Sequence, residues 1–116
     1  MARKYYVIRL EREYEGYETN IMYIGTNAKA AIDRYTKLFQ YVKQRDYLDE
    51  GVAPDRIEEN FRMPSPEMNP GEQCYSGLND GDCYYETLVF SCHTTNHFSI
   101  PAFEDRYKME TPNARY

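Results

Sequence analysis

The stretch Thr26 to Gln44, TNAKAAIDRYTKLFQYVKQ, constrains this chain more than any other. Ala28, Ala31, Ile32, Tyr35, Leu38, Phe39 and Val42 recur at helical spacing and form one apolar stripe, which has to be buried against a partner surface. Thr26 or Asn27 can serve as N-cap, accepting from first-turn amides that have no partner within the helix. The spacing predicts a long helix over 26–45, and the rest of the chain must supply what it packs on.

Tyr5 to Glu11 and Tyr17 to Gly25 each alternate as strands do, with Glu15-Gly16 as a tight turn, so residues 4–25 are expected to form a hairpin. With that turn Leu10 faces Ile21, Ile8 faces Tyr23 and Tyr6 faces Gly25, and this side should meet the helix. The other side would carry Tyr5, Val7, Arg9, Met22 and Ile24, more apolar than an ordinary solvent face. Residues 46–62 form an acidic connection in which Pro54 suits a first helical turn and Ile57 and Phe61 are four apart, predicting a short helix from about Pro54 to Arg62. Residues 63–82 hold three prolines and three glycines and read as an irregular loop. Residues 83–92, CYYETLVFSC, are rich in aromatic and β-branched types and read as a third strand. Ser99, Pro101, Phe103 and Tyr107 suit a last short helix over 99–110, followed by a tail, 111–116. The expectation is one α+β domain: a three-stranded, mainly antiparallel sheet, the long helix on one face and two short helices. A chain of 116 residues supports one core of that size.

No apolar run approaches the ~20 residues that cross a bilayer, and MARKYYVIRLER lacks an uninterrupted signal-peptide core, so no membrane partner and a cytoplasmic address are expected. Three cysteines in a chain with its own core point to reduced thiols rather than a disulfide framework. Charge is polarised: residues 1–45 carry +4 and residues 46–116 carry −9. Either the halves attract each other or one presents a field to a partner. The basic outer face of the helix, Lys29, Arg34, Lys37, Lys43 and Arg45, is read as pairing with the acidic half rather than with phosphates, so direct nucleic-acid binding is not expected.

Cys74, Cys83, Cys92, His93 and His97 are the residues that could act as soft metal ligands. Their spacing, C-x8-C-x8-CH-x3-H, lacks the short C-x2-4-C knuckle, and Cys83 and Cys92 have opposite strand parity, so no zinc and no cofactor is expected. His93-Thr-Thr-Asn-His97 has Thr where a zinc protease needs Glu. There is no G-x-S-x-G elbow and no glycine-rich phosphate cradle, and Asn79-Asp80-Gly81-Asp82 reads as a turn rather than a calcium loop.

The opening KYYVIRLEREYEGYETNIMYIGT, the Ala-rich NAKAAIDRYTKLF and the late CYYETLVF together resemble a group of small ββαβ-type proteins of bacteria and their phages. The resemblance covers residues 4–44 and 83–91 and implies a fold and a phage or mobile-element setting, with no functional residues to carry over. With no catalytic set in view, the expectation is a non-enzymatic protein that binds and inhibits or modulates a host protein, such as a nucleic-acid-handling defence nuclease, in the manner of anti-CRISPR proteins. Asp49, Glu50, Asp55, Glu58 and Glu59 would stand in for phosphates in a cationic groove. Tyr14 and Tyr17 are candidate contact residues, since tyrosine buries area at low entropic cost. The alternatives are a domain that pairs with itself through the sheet face of Tyr5, Val7, Arg9, Met22 and Ile24, and a zinc-dependent nucleic-acid-binding module.

Overall fold

A computed structural model describes residues 3–81 and 84–94, and the backbone of Lys108–Met109. Strands β1 (Lys4–Glu13) and β2 (Tyr17–Gly25) form the hairpin, and α1 (Ala28–Lys43) follows it. A π-turn (Gln44–Leu48), a 3-10 turn (Pro54–Arg56) and strands β3 (Glu58–Asn60), β4 (Gln73–Asn79) and β5 (Tyr85–Thr94) complete the described core. The antiparallel sheet has the order β3-β4-β5-β1-β2, and β6 (Lys108–Met109) lies parallel to β2 at Asn20 and Ile21.

This corrects the three-stranded expectation. Residues 54–62 do not form a short helix: after the 3-10 turn, Ile57 is extended and Glu58–Asn60 pair with β4 as an edge strand. The second half of the expected 63–82 loop is β4, inserted between the edge and β5. On its helix-facing side β4 offers Cys74, Ser76 and Leu78, a single aliphatic, and Gly77 lies between them, so its sequence reads as a turn. Burial beside Phe90 and Leu88 of β5, rather than its own apolarity, makes it a strand. The helix expected over 99–110 lies outside the described residues except at Lys108–Met109, where the backbone is a strand.

The helix forms for the reasons its spacing gives. The Asn27 side chain accepts from Ala30 N (2.9 Å), and Ala31, Tyr35, Leu38, Phe39 and Val42 are buried against the sheet. They meet Tyr6, Ile8 and Leu10 of β1 and Leu88, Phe90 and Cys92 of β5 in one core. Beyond Val42 the π-turn widens the spacing, so the next buried side chain, Tyr47, comes five residues on instead of four.

The hairpin departs from its expected register in an instructive way. Its loop has three residues, Tyr14 to Gly16, closed by Tyr14 N donating to Gly16 O (3.1 Å), with Glu15 at φ 53 and Gly16 at φ 150. The extra loop residue puts Leu10 opposite Asn20, and a bulge at Met22 restores Ile8 opposite Tyr23 and Tyr6 opposite Gly25. Met22 therefore joins the helix-side core, while Ile21 turns to the other face with Val7 and Val89, all three fully buried. The face grouped in sequence as Tyr5, Val7, Arg9, Met22 and Ile24 is thus divided by the bulge. Because Glu15 holds a left-handed conformation that asparagine adopts at lower cost, Glu15→Asn is expected to stabilise the protein by about 1 kcal/mol. A thermal melt that fails to rise would show that the loop does not hold this geometry in solution.

Candidate functional site: a buried acid pair beneath two tyrosine clefts

At the turn end of the sheet one row of paired residues runs Glu59, Leu78, Glu86, Arg12, Glu18 across all five strands, on the helix side. Glu86 is the unusual member, a carboxyl with 1% of its side chain exposed. Its Oε2 accepts from Arg12 Nε at 3.0 Å, while no donor reaches Oε1 among the described residues. The π-turn brings Asp46 to the same place, where Arg45 grips it in two-pronged fashion, Nε to Oδ1 at 2.6 Å and a terminal nitrogen to Oδ2 at 2.9 Å. Arg12 reaches Asp46 Oδ2 at 3.6 Å and Glu18 at 3.8 Å. The two halves of the chain, oppositely charged, meet here and at the Lys43–Glu59 ion pair.

These surroundings drive the two acids apart. Burial, reinforced by the neighbouring Asp46, pushes the Glu86 carboxyl up to about 9 against the pull of Arg12. Burial also works against ionisation of Asp46, but hydrogen bonds from Arg45 and from Glu86 and the two guanidinium charges outweigh it, leaving Asp46 below its ordinary value. These surroundings favour a proton on Glu86 and the charged form of Asp46. A proton on Oε1 accounts for that oxygen's lack of a donor, because it then donates. Glu86 and Asp46 in turn push the Tyr84 phenol up, beyond the larger effect of burial, and Tyr47, whose hydroxyl donates to Leu78 O at 3.0 Å, is raised chiefly by burial and then by Glu86.

Two clefts open above this cluster. One, of about 410 Å³, is lined by Arg12, Tyr14, Gly16, Tyr17, Glu18 and Tyr84; the other, of about 480 Å³, by Tyr14, Asp46, Glu50, Val52, Asp80 and Tyr84. Tyr14 and Tyr84 stand between them with rings edge to face at 5.7 Å, and Tyr84 meets Tyr47 likewise at 5.6 Å. Tyr14 and Tyr17 are 58% and 67% exposed, so their rings lie open at the surface.

Of the residues singled out in sequence, Tyr14, Tyr17 and Glu50 are brought together here. Asp49 is exposed next to Glu50 and accepts from Gln44 Nε2 at 2.6 Å. Asp55 is exposed in the 3-10 turn. Glu58 and Glu59 lie on the edge strand, where successive side chains point to opposite faces, and Glu59 pairs with Lys43. The acids therefore do not share a helix face, and the edge strand they occupy is one that charge protects from pairing with another chain. Arg12, Tyr84 and Glu86 were missed, although strand parity places them with Leu10, Leu88 and Phe90, and a charged residue in register with core positions is a readable signal.

Among the described residues the soft ligands do not converge. Cys74 and Cys92 face the helix, whereas His93, one residue on, faces the opposite side and lies 2.8 Å from Ser91 Oγ; Cys83 and His97 lie outside the described residues. Among the described residues no group of three or more His, Cys, Asp or Glu is arranged to hold a metal ion, and none of the helices is long and apolar enough to cross a membrane. The basic positions of α1 engage the chain itself: Lys37 pairs with Asp33 at 3.0 Å and Arg34 lies over the Tyr23 ring at 5.4 Å. In comparisons with known proteins no family model matches the chain, and no curated protein or solved structure is significantly similar to it.

Proposed function

We propose that this is a non-catalytic binding protein of phage or mobile-element type that acts in the host cytoplasm, engaging a host nucleic-acid-handling protein and inhibiting or modulating it in the manner of an anti-CRISPR. The observation that carries the reading is the convergence of exposed Tyr14 and Tyr17 with Glu18, Glu50 and Asp80 in adjoining clefts at one end of a rigid sheet. Aromatic rings supply contact area, and the acids supply the field that a cationic nucleic-acid groove would attract. Asp49 and, further along the same end of the sheet, Asp55 and Glu58 extend the negative surface.

The test is affinity capture from host lysate followed by reconstitution with the purified partner. A nucleic-acid-binding protein should be retained at low salt and released as salt rises. The double variant Tyr14→Ser, Tyr17→Ser should weaken binding by about tenfold or more. Capture that is indifferent to salt and to both tyrosines would overturn the assignment.

A further inference from the structure

The outer edge of the sheet is only half closed. β3 pairs with β4 at Gly77–Asn79 alone, while β4 is paired with β5 along its whole length. Beyond Asn60 the chain leaves the edge for the helix side, where Arg62 N donates to Ser76 Oγ at 3.0 Å and Phe61 packs on Tyr35 and Phe39. At the other end Gly71, at φ 91, turns the chain inward, its N–H donating to Cys92 O at 2.8 Å. A bare window from Glu72 to Ser76 is left between these two limits. Cys92 N donates to Glu72 O at 3.2 Å, which sets the phase of the ladder: Glu72, Cys74 and Ser76 bond to β5, and Gln73 and Tyr75 turn their N–H and C=O outward. Among the described residues no backbone group meets them.

Outward groups at that spacing are satisfied by one more strand, and the window fits another copy of itself. Laid antiparallel about a two-fold axis at Cys74, the two windows are of equal length. Gln73 then falls opposite Tyr75 of the other copy, and each such pair exchanges two hydrogen bonds. A shift towards Ser76 runs one chain into Asn60 of the other, and a shift towards Glu72 loses pairing at the Gly71 turn. Charge agrees with that register. Gln73–Asn79 carries none, unlike Glu58 and Glu59 on the edge beside it. The Cys92 thiol, pushed up by burial, is raised further by Glu72 against the pull of Lys4, and the Cys74 thiol, also pushed up by burial, is drawn back by Arg62. Both charges therefore stand on the helix side of the window. Ser76, which holds the Arg62 amide, falls opposite Glu72 of the other copy, and Arg62 has no ion pair among the described residues. We propose that two copies of this chain pair edge to edge through β4, Gln73 with Tyr75 in both directions and Arg62 with Glu72 across the axis, joining their sheets into one. The window is short, so the association is weak and concentration-dependent. It lies in the rows of Val7 and Arg9, away from the hairpin turn, and leaves the tyrosine clefts open.

Sedimentation equilibrium of the full chain should show a reversible monomer–dimer equilibrium with a dissociation constant of about 10⁻⁴ M, weakening as salt rises. Over the same concentrations the Gln73 and Tyr75 amides should gain protection from hydrogen exchange. Tyr75→Pro deletes one outward donor in each pair without touching the bonds to β5, and should weaken dimerisation by about tenfold or more. Arg62→Glu and Glu72→Arg should each weaken it as well. Mixed in equal amounts, those two variants should associate as the parent does, since each charge then meets its opposite, a recovery that misfolded chains would not give. A chain that stays monomeric at about 1 mM, dimers that survive Tyr75→Pro, or a mixture no better than its components would overturn the assignment.

Discussion

Glu86→Gln is expected to leave the protein at least as stable as the parent at neutral pH and more stable than it at pH 8. The native carboxyl is held neutral up to about 9, whereas in the unfolded chain it ionises near its ordinary value of 4.5. The native state therefore binds one more proton across that interval. Stability from this group is fully present below 4.5 and is lost as pH rises towards 9, by about 1.4 kcal/mol per pH unit. Asp46 has the opposite sign: its depressed value gives stability that is present above 3.8 and lost as pH falls through the native value. Glutamine reproduces the neutral acid, keeping an acceptor for Arg12 and a donor towards Asp46, so the alkaline slope should flatten while the acid limb stays. If Glu86 were instead the ionised half of a buried ion pair with Arg12, the same substitution would cost about 3–5 kcal/mol. Urea denaturation from pH 4 to pH 9 distinguishes the two, and a loss of that size at pH 7 would refute the neutral assignment. Arg12→Met provides the complementary measurement, since it strips one of the two guanidiniums from Asp46 and should destabilise at every pH above the Asp46 titration.

The pair also shows why some of this molecule was legible in its sequence and some was not. The α1 stripe was readable because helical periodicity is local, and Tyr35, Leu38, Phe39 and Val42 announce themselves without reference to any other segment. The hairpin was readable in outline, but its register depended on one extra loop residue and a compensating bulge, and a sequence offers Glu15-Gly16 as a two-residue turn just as readily. Strand β4 was hidden because its inner face carries Ser76 where an aliphatic would be expected. That serine is buried because it has partners: its Oγ lies 2.7 Å from the Tyr35 hydroxyl, Arg62 N donates to it at 3.0 Å, and Arg62 O lies 3.3 Å away. Polar side chains that are satisfied only by distant residues make strands look like loops. The candidate site was half visible for the same reason. Tyr14, Tyr17 and Glu50 stand out by type, whereas the acid pair exists only once the π-turn has carried Asp46 to the strand row of Arg12 and Glu86.

Tyr35 should prove the most costly position in the core to alter, because it is at once packing and the polar bolt between layers. It is fully buried, its ring stands edge to face with Phe90 at 5.6 Å and lies 5.8 Å from Phe61, and its hydroxyl lies 2.7 Å from Ser76 Oγ and 2.8 Å from Leu88 O. Burial pushes the phenol far above its usual range, so the hydroxyl stays a donor at any pH at which the protein is folded. Tyr35→Phe removes only that donor and leaves Leu88 O and Ser76 Oγ with one partner fewer in a dry setting, an expected loss of about 1–3 kcal/mol. Tyr35→Ala adds the cavity and should cost about 3–5 kcal/mol or more. The two effects can be separated in place. If the hydroxyl holds Ser76 in the orientation that secures Arg62, Tyr35→Phe should speed hydrogen exchange at the Arg62 amide beyond its effect on the α1 amides. Ser76→Ala should reproduce that local change, and adding it to Tyr35→Phe should cost less than the sum of the two alone, since both break one network. Additive losses, with the Arg62 amide exchanging no faster than the helix, would mean that Tyr35 stabilises the fold by packing alone and that the link from α1 through Ser76 to the 61–72 segment carries no energy.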